Sequence, residues 1–251
     1  MLKKIILVCV LILIVIFSKN AFSQKFSCDA SWENILQEYQ LDPLYKPLVG
    51  LCDVTFRKKL WEKMATNEDL GYKTAREIMF SNLDNFEGKV CGVYSGTCIL
   101  TTGIPDHTKY NTEHSWCQSW GSGSGKPKSD LHHLYPVKSN LNSRRNNFPF
   151  CEVSEVMWEN YGSAFGRSYS DTTCFEPPDW HKGELARSMF YFSVRYSRPI
   201  DPEQEYFFRK WNLQFPVTDK EYNRNIDIFY FQGNKNPFVQ YPEFVRLIRD
   251  F

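Results

Sequence analysis

Between Asn111 and Glu152 the chain carries N-T-E-H-S-W-C, then D-L-H-H-L-Y-P, then N-S-R-R-N-N-F. Three of its five histidines fall in this stretch. A carboxylate stands beside an imidazole at Glu113-His114, and asparagines and two adjacent arginines follow. Hydrolysis of a phosphodiester needs an activated water, neutralised charge on the phosphate and help for the departing oxygen, all of which a divalent ion can assist. Magnesium keeps most of its waters and takes only one or two protein oxygens. Glu113 and Asn142 supply two. Neutral His114, with an ordinary pKa near 6.5, is the candidate to take the proton from water. Lys138, Arg144 and Arg145 are the cations at hand for a phosphate backbone. The Glu-His pair alone says little; the three clusters in this order give it weight.

These residues need elements to position them. Lys109 to Trp116 reads as a strand, and Asp130 to Tyr135 as a second short strand or turn. Pro136 suits the first position of a helix running from Val137 to about Asn146. On it Lys138, Asn142 and Arg145 share a stripe by i, i+4 and i+3 spacing. Adjacent strand residues point to opposite faces, so Glu113 and His114 share one site only at a strand end or a distortion. The Gly121 to Pro127 segment lacks the spacing of a phosphate-binding loop and reads as a mobile connector. Lys126 and Lys128 beside it are candidate backbone contacts.

Around this centre, residues 24–70 read as helical, capped at Asp29 or Ser31 and broken at Pro43 and Pro47. Tyr72 to Leu83 reads as a helix, and Lys89 to Thr102 as one or two strands. Residues 152–175 read as irregular. Trp180 to Tyr196 is a helix with Leu185, Met189, Phe192 and Tyr196 along one face. Thr218-Asp-Lys-Glu221 opens a helix that ends at Gly233, and Pro242 begins a last short one. The expected class is α+β, a small antiparallel sheet surrounded by helices.

The N-terminus bounds location. Lys3 and Lys4, an apolar run from Ile5 to Phe17 and Ala21-Phe22-Ser23 form an export signal over residues 1–23, too short to span a membrane. The alternative is an uncleaved anchor. Residues 24–251 then make a single domain with no stable membrane insertion, expected as a monomer. Removing Lys3, Lys4 and Lys19 from 30 basic residues leaves 27 against 29 acidic, a net of −2. Any polyanion must therefore meet a local basic patch. Eight cysteines, one within the signal, imply disulfides in an exported chain and leave one thiol over. Cys91 and Cys98 are plausible partners. Cys117 and Cys151 bracket the central stretch.

The sequence resembles the bacterial endonuclease I family, exported non-specific nucleases with a ββα-metal (His-Me finger) active site. The resemblance rests on Tyr110 to His114, Asp130 to Pro136, Asn142 to Glu152, P-P-D-W-H-K-G-E-L-A-R at 177–187, R-N-I-D at 224–227 and Q-G-N-K-N-P-F at 232–238. It implies a ββα core at about 109–150, with His114 as general base. Glu113 and Asn142 become ligands for Mg2+, with Mn2+ or Ca2+ as substitutes, and Arg145 a phosphate contact. His132, with Asp130, becomes a supporting residue, His133 structural, and His107 and His181 solvated surface. Where the family often has proline and glycine or serine, this chain has Cys117 and Cys151, so a Cys117–Cys151 bridge is expected. The implied activity is hydrolysis of DNA, and of RNA as a further substrate, leaving 5′-phosphates. A non-catalytic nucleic-acid-binding protein and a phosphodiesterase for small nucleotides are the alternatives.

Overall fold

The computed structural model describes residues 27–251. The signal segment lies outside them. Among the described residues no helix is long and apolar enough to cross a membrane.

The chain opens with α1 (Cys28–Glu38) and α2 (Asp53–Met64), tied by the Cys28–Cys52 disulfide. Ser27, not Asp29 or Ser31, caps α1 by accepting the Ala30 amide. Helix α3 (Tyr72–Ile78) relaxes into a π turn over Met79–Leu83. A small antiparallel sheet follows, β1 (Asn85–Phe86), β2 (Lys89–Cys91) and β3 (Cys98–Leu100), its last two strands joined by the expected Cys91–Cys98 bond.

The centre of the chain is a two-stranded antiparallel ribbon, β4 (Tyr110–His114) against β5 (Leu134–Lys138), with Glu113 opposite Tyr135 and His114 opposite Leu134. Between them lies a short helix, α4 (Gly125–Ser129), so the glycine-rich connector is partly ordered as helix. Pro136 does not open a helix. It sits inside β5, and α5 (Ser139–Arg145) starts three residues later. A ribbon of two strands has only edges, and an edge strand tolerates a residue without an N–H.

Residues 152–175 are not irregular. They form a three-stranded antiparallel sheet, β6 (Glu155–Asn160), β7 (Ser163–Arg167) and β8 (Thr173–Glu176). The glycines and serines hid it, and β6 is exposed on nearly every residue, so no alternation marked it.

Helix α6 (Asp179–Tyr196) runs through the middle. The apolar face of Leu185, Met189 and Phe192 is buried as expected, but so is nearly every residue from His181 to Arg195. A helix buried all round is a core helix, and its polar residues are paired. The Arg187 Nε donates to Glu221 at 2.6 Å and the Arg195 Nε to Asn67 at 2.9 Å. A side chain at Gly183 would meet the Phe215 carbonyl at 2.4 Å, so the glycine lets α6 and the next helix touch. That helix, α7 (Pro202–Gln214), was missed in the sequence despite its signal: Asp201 accepts the Glu203 and Gln204 amides and Pro202 fills the first turn. Helix α8 (Asp219–Gln232) begins where Thr218 accepts the Glu221 amide and ends at left-handed Gly233. Helix α9 (Pro237–Gln240) and a 3-10 turn over Pro242–Leu247 close the chain.

Cys117 and Cys151 do not pair. The Cys151 amide donates to Phe175 O, which sets the residue beside β8, and the bond forms with Cys174 across 5.8 Å between Cα atoms. Among the described residues Cys117 is the free thiol, buried, facing Arg145.

Candidate active site

Strand β4 ends at His114, and this resolves the facing problem. Glu113 and His114 both line a cleft of about 210 Å³, joined by Asn142 from α5 and by Gln118, Asn146 and Asn147 from the flanking loops. The amide of Asn142 is oriented by the strand itself: its Nδ2 donates to Thr112 O at 3.2 Å. That leaves the amide oxygen as the free end.

Glu113 is 1% exposed. Its Oε1 accepts the Tyr94 hydroxyl at 2.9 Å and lies 3.4 Å from the Arg145 Nε, an ion pair without a hydrogen bond. Burial pushes the carboxyl above its usual range, and Arg145 and Tyr94 oppose the shift. One hydrogen bond and one neighbouring cation thus hold one carboxylate oxygen.

His114 is 5% exposed. Its Nε2 lies 3.2 Å from the Lys128 carbonyl, which can only accept, so Nε2 carries the hydrogen. The lone pair is then on Nδ1, 3.4 Å from Gln118 Nε2. Burial first, then neighbouring His133, pushes the His114 pKa down to about 3, so the ring is neutral at physiological pH.

The other sequence candidates divide. Arg145 does not present its charge outward. It is 1% exposed; Nη2 donates to Ser115 O and Nη1 to Asn146 O, both at 2.9 Å, and Nη1 also meets the Cys117 sulfur. Its guanidinium lies behind Glu113, over the Phe150 ring at 4.4 Å. Asp130 is a buried hub, accepting Tyr191, Tyr196, Gln232 and the His132 amide. His132 is buried with Nε2 against Asn234 O, and His133 has Nε2 against Pro127 O at 2.5 Å. Lys126 donates to Asn67 O at 2.7 Å. Lys128 gives its carbonyl to His114, while Lys138 precedes α5 and Arg144 lies in its last turn; none of the three lines the cleft itself. His107 is exposed as expected, but His181 is not: it is 1% exposed, 3.3 Å from Glu184.

Tyr94 went unrecognised in the sequence. It lies 19 residues before Glu113, and its only signal was a place inside the tight Cys91–Cys98 loop. Gln118 was likewise passed over, four residues after His114.

Among the described residues no three or more His, Cys, Asp or Glu side chains gather as a metal cluster. A hard cation in this cleft would find one carboxylate and one amide oxygen.

The chain is thus an α+β protein whose small antiparallel ribbon and following helix direct a carboxylate, an imidazole and an amide into one cleft. The family model for endonuclease I matches residues 52–243, and the chain belongs to that family. It is 35% identical over 159 residues to an extracellular ribonuclease of Bacillus subtilis, covering 53% of this chain and 52% of the relative. It is 35% identical over 115 residues to endonuclease-1 of Buchnera aphidicola, covering 45% and 47%. An extracellular deoxyribonuclease of Aeromonas hydrophila is 27% identical over 118 residues, covering 45% and 49%. The chain spans about half the length of the curated relatives it matches.

Proposed function

We propose that this protein is an exported, magnesium-dependent, sequence-non-specific endonuclease that cleaves DNA and RNA through a ββα-metal core formed by β4, β5 and α5, leaving 5′-phosphates. The observation that carries the reading is the convergence of Glu113, His114 and Asn142 on one cleft in a chain of this family. Names of relatives that specify ribonuclease and deroxyribonuclease activity support both substrates, and extracellular relatives with three disulfides in this chain support export.

The residues present fit a hard ion. Glu113 has one oxygen held by Tyr94 and Arg145 and the other left for the cleft, and Asn142 has its amide nitrogen occupied and its oxygen free. A magnesium ion there would neutralise the phosphate and the departing 3′ oxygen while keeping most of its waters. His114 donates through Nε2 to Lys128 O, so Nδ1 is the atom that receives the proton of the attacking water. A phosphate in the cleft raises the basicity that burial lowers, because an opposite charge favours the imidazolium. Gln118, beside Nδ1, orients the water. Arg145 acts by holding Glu113 rather than by touching phosphate.

Nicking of plasmid DNA with magnesium or with chelator tests the reading. His114→Ala should abolish cleavage and leave DNA binding within a few-fold of the parent. Near-parental cleavage by that variant would remove His114 as the base. Binding without any cleavage by the parent would make the protein a nucleic-acid-binding module, and cleavage of small diesters alone would make it a phosphodiesterase.

A further inference from the structure

Among the described residues, three cations near His114 and Asn142 lie beside rings and lack a carboxylate partner. Several basic residues elsewhere meet carboxylates, Lys182 with Glu176 at 2.6 Å, Arg187 with Glu221 at 2.6 Å, Arg224 with Asp84 at 2.8 Å and Lys210 with Glu152 at 2.6 Å, and of these Lys182 and Arg224 lie over rings as well. The three meet rings. Lys138 Nζ lies 5.0 Å from the Tyr161 ring, Arg144 Cζ 5.3 Å from the Trp158 ring, and Lys128 Nζ 4.9 Å from the Tyr72 ring. Among the described residues none of these three cations has a carboxylate within ion-pair distance. Their charge is free for a polyanion, and each stands next to a flat π face.

Tyr161 carries a second, independent sign. It sits with Gly162 at the turn of the β6–β7 hairpin, and both have positive φ, 55° and 77°. Such a turn favours Asn, Asp or Gly, and a bulky aromatic residue there is strained. Tyr161 is nonetheless 39% exposed, so the core does not explain its place. Strain retained without a packing reason marks a working position. A β-bulge between Val156 and Trp158 shifts the same hairpin's register, and bulges re-aim side chains. The hairpin thereby brings Tyr161 to Lys138 and Trp158 to Arg144, the two ends of the helix that carries Asn142.

We propose that this hairpin is a stacking arm for unpaired nucleobases, with Tyr161 as its principal platform, so that the enzyme grips single-stranded DNA or RNA more tightly than duplex. In a duplex the bases are stacked on one another and only the backbone faces outward. An unpaired strand offers phosphates to Lys138 and Arg144 and base faces to the rings beside them. The inference rests on the nuclease reading above and specifies which form of substrate that site prefers.

Fluorescence anisotropy of the full chain in chelator, with a labelled 12-nucleotide thymidine strand and a labelled duplex of the same length, tests it. Tyr161→Ala should weaken single-strand binding about 5- to 150-fold and duplex binding less than twofold, with the salt dependence unchanged. Tyr161→Phe should keep single-strand affinity, because stacking does not use the hydroxyl. Tyr161→Asn should lose it while melting no lower than the parent, because asparagine suits the turn. Arg144→Gln should weaken both and flatten the salt dependence by about one phosphate contact. Equal losses on both substrates for Tyr161→Ala, or none on either, would overturn the stacking arm while leaving a protein that binds and cuts duplex as the nuclease described above. Failure of the parent to bind either substrate would overturn both readings.

Discussion

Arg145→Met asks whether the arginine behind the cleft supports the site or touches the substrate. The resemblance assigns Arg145 to phosphate; the structure buries it to 1% against Glu113, the Ser115 and Asn146 carbonyls and the Cys117 sulfur. Methionine keeps much of the volume between Trp120 and Phe150 and removes only the charge and its donors. The loss strands Glu113 as a buried carboxylate held by Tyr94 alone. Removing one partner of a buried pair costs about 3–5 kcal/mol, chiefly as the uncompensated charge left behind. For a chain of this size that lowers the melting temperature by roughly 6–20 °C. The assay is urea or thermal unfolding of parent and variant, followed by Glu113→Gln in the Arg145→Met background. The second substitution should recover part of the loss, because a neutral amide tolerates burial where a carboxylate does not. Melting within 2 °C of the parent, together with a flatter salt dependence of DNA binding, would refute the buried-pair argument and return Arg145 to the phosphate.

Tyr94→Phe removes the hydrogen bond that, with the Arg145 charge, fixes the Glu113 carboxylate, and loss of such an outer partner should raise the magnesium concentration for half-maximal cleavage 10- to 100-fold; an unchanged half-saturation would show that the hydroxyl is idle. Stability should also fall in mild acid. Burial holds His132 and His133 at about 4 against an ordinary 6.5, with Asp130 opposing. The unfolded chain therefore binds protons first as pH drops from 6.5 towards 4, and stability present at pH 7 is lost across that window. Two such groups give a slope of up to about 2.7 kcal/mol per pH unit. Urea midpoints at pH 7 and pH 5 measure it, and equal values would mean that these rings are not buried neutral.

The sequence singled out residues that the fold brings to one cleft better than it did the scaffold around them. Glu113, His114 and Asn142 were legible because their types are uncommon together and their order matches a family. The α6 and α8 helices were legible because caps and apolar spacing are local signals. What failed depends on neighbours distant in the chain. Pro136 looks like a helix start until a two-stranded ribbon supplies an edge for it. The β6–β8 sheet had no alternation to read, because its first strand faces solvent. His181 looked solvated because the rings packed against it, Tyr94 and Tyr135, come from far along the chain. The Cys117–Cys151 pairing failed because linear bracketing does not measure proximity, and β8 brings Cys174 to Cys151 instead.

The Cys91–Cys98 bond closes a seven-residue loop, and Tyr94 stands inside it with its hydroxyl on the Glu113 carboxylate. The backbone of that loop meets the ribbon where the Val93 amide donates to the Pro136 carbonyl at 2.9 Å and where the Thr97 carbonyl accepts the Tyr110 hydroxyl at 2.5 Å. One covalent link between two sulfurs therefore restrains the residue that steadies the carboxylate, and the ring of that residue is also packed into the core against His181 of α6 and Phe175 of β8. A thiol reductant would cut that link and leave Tyr94 held by its packing and by the Ser163 hydroxyl on its carbonyl. The position of the Glu113 carboxylate is thereby coupled to the oxidation state of the molecule's surroundings.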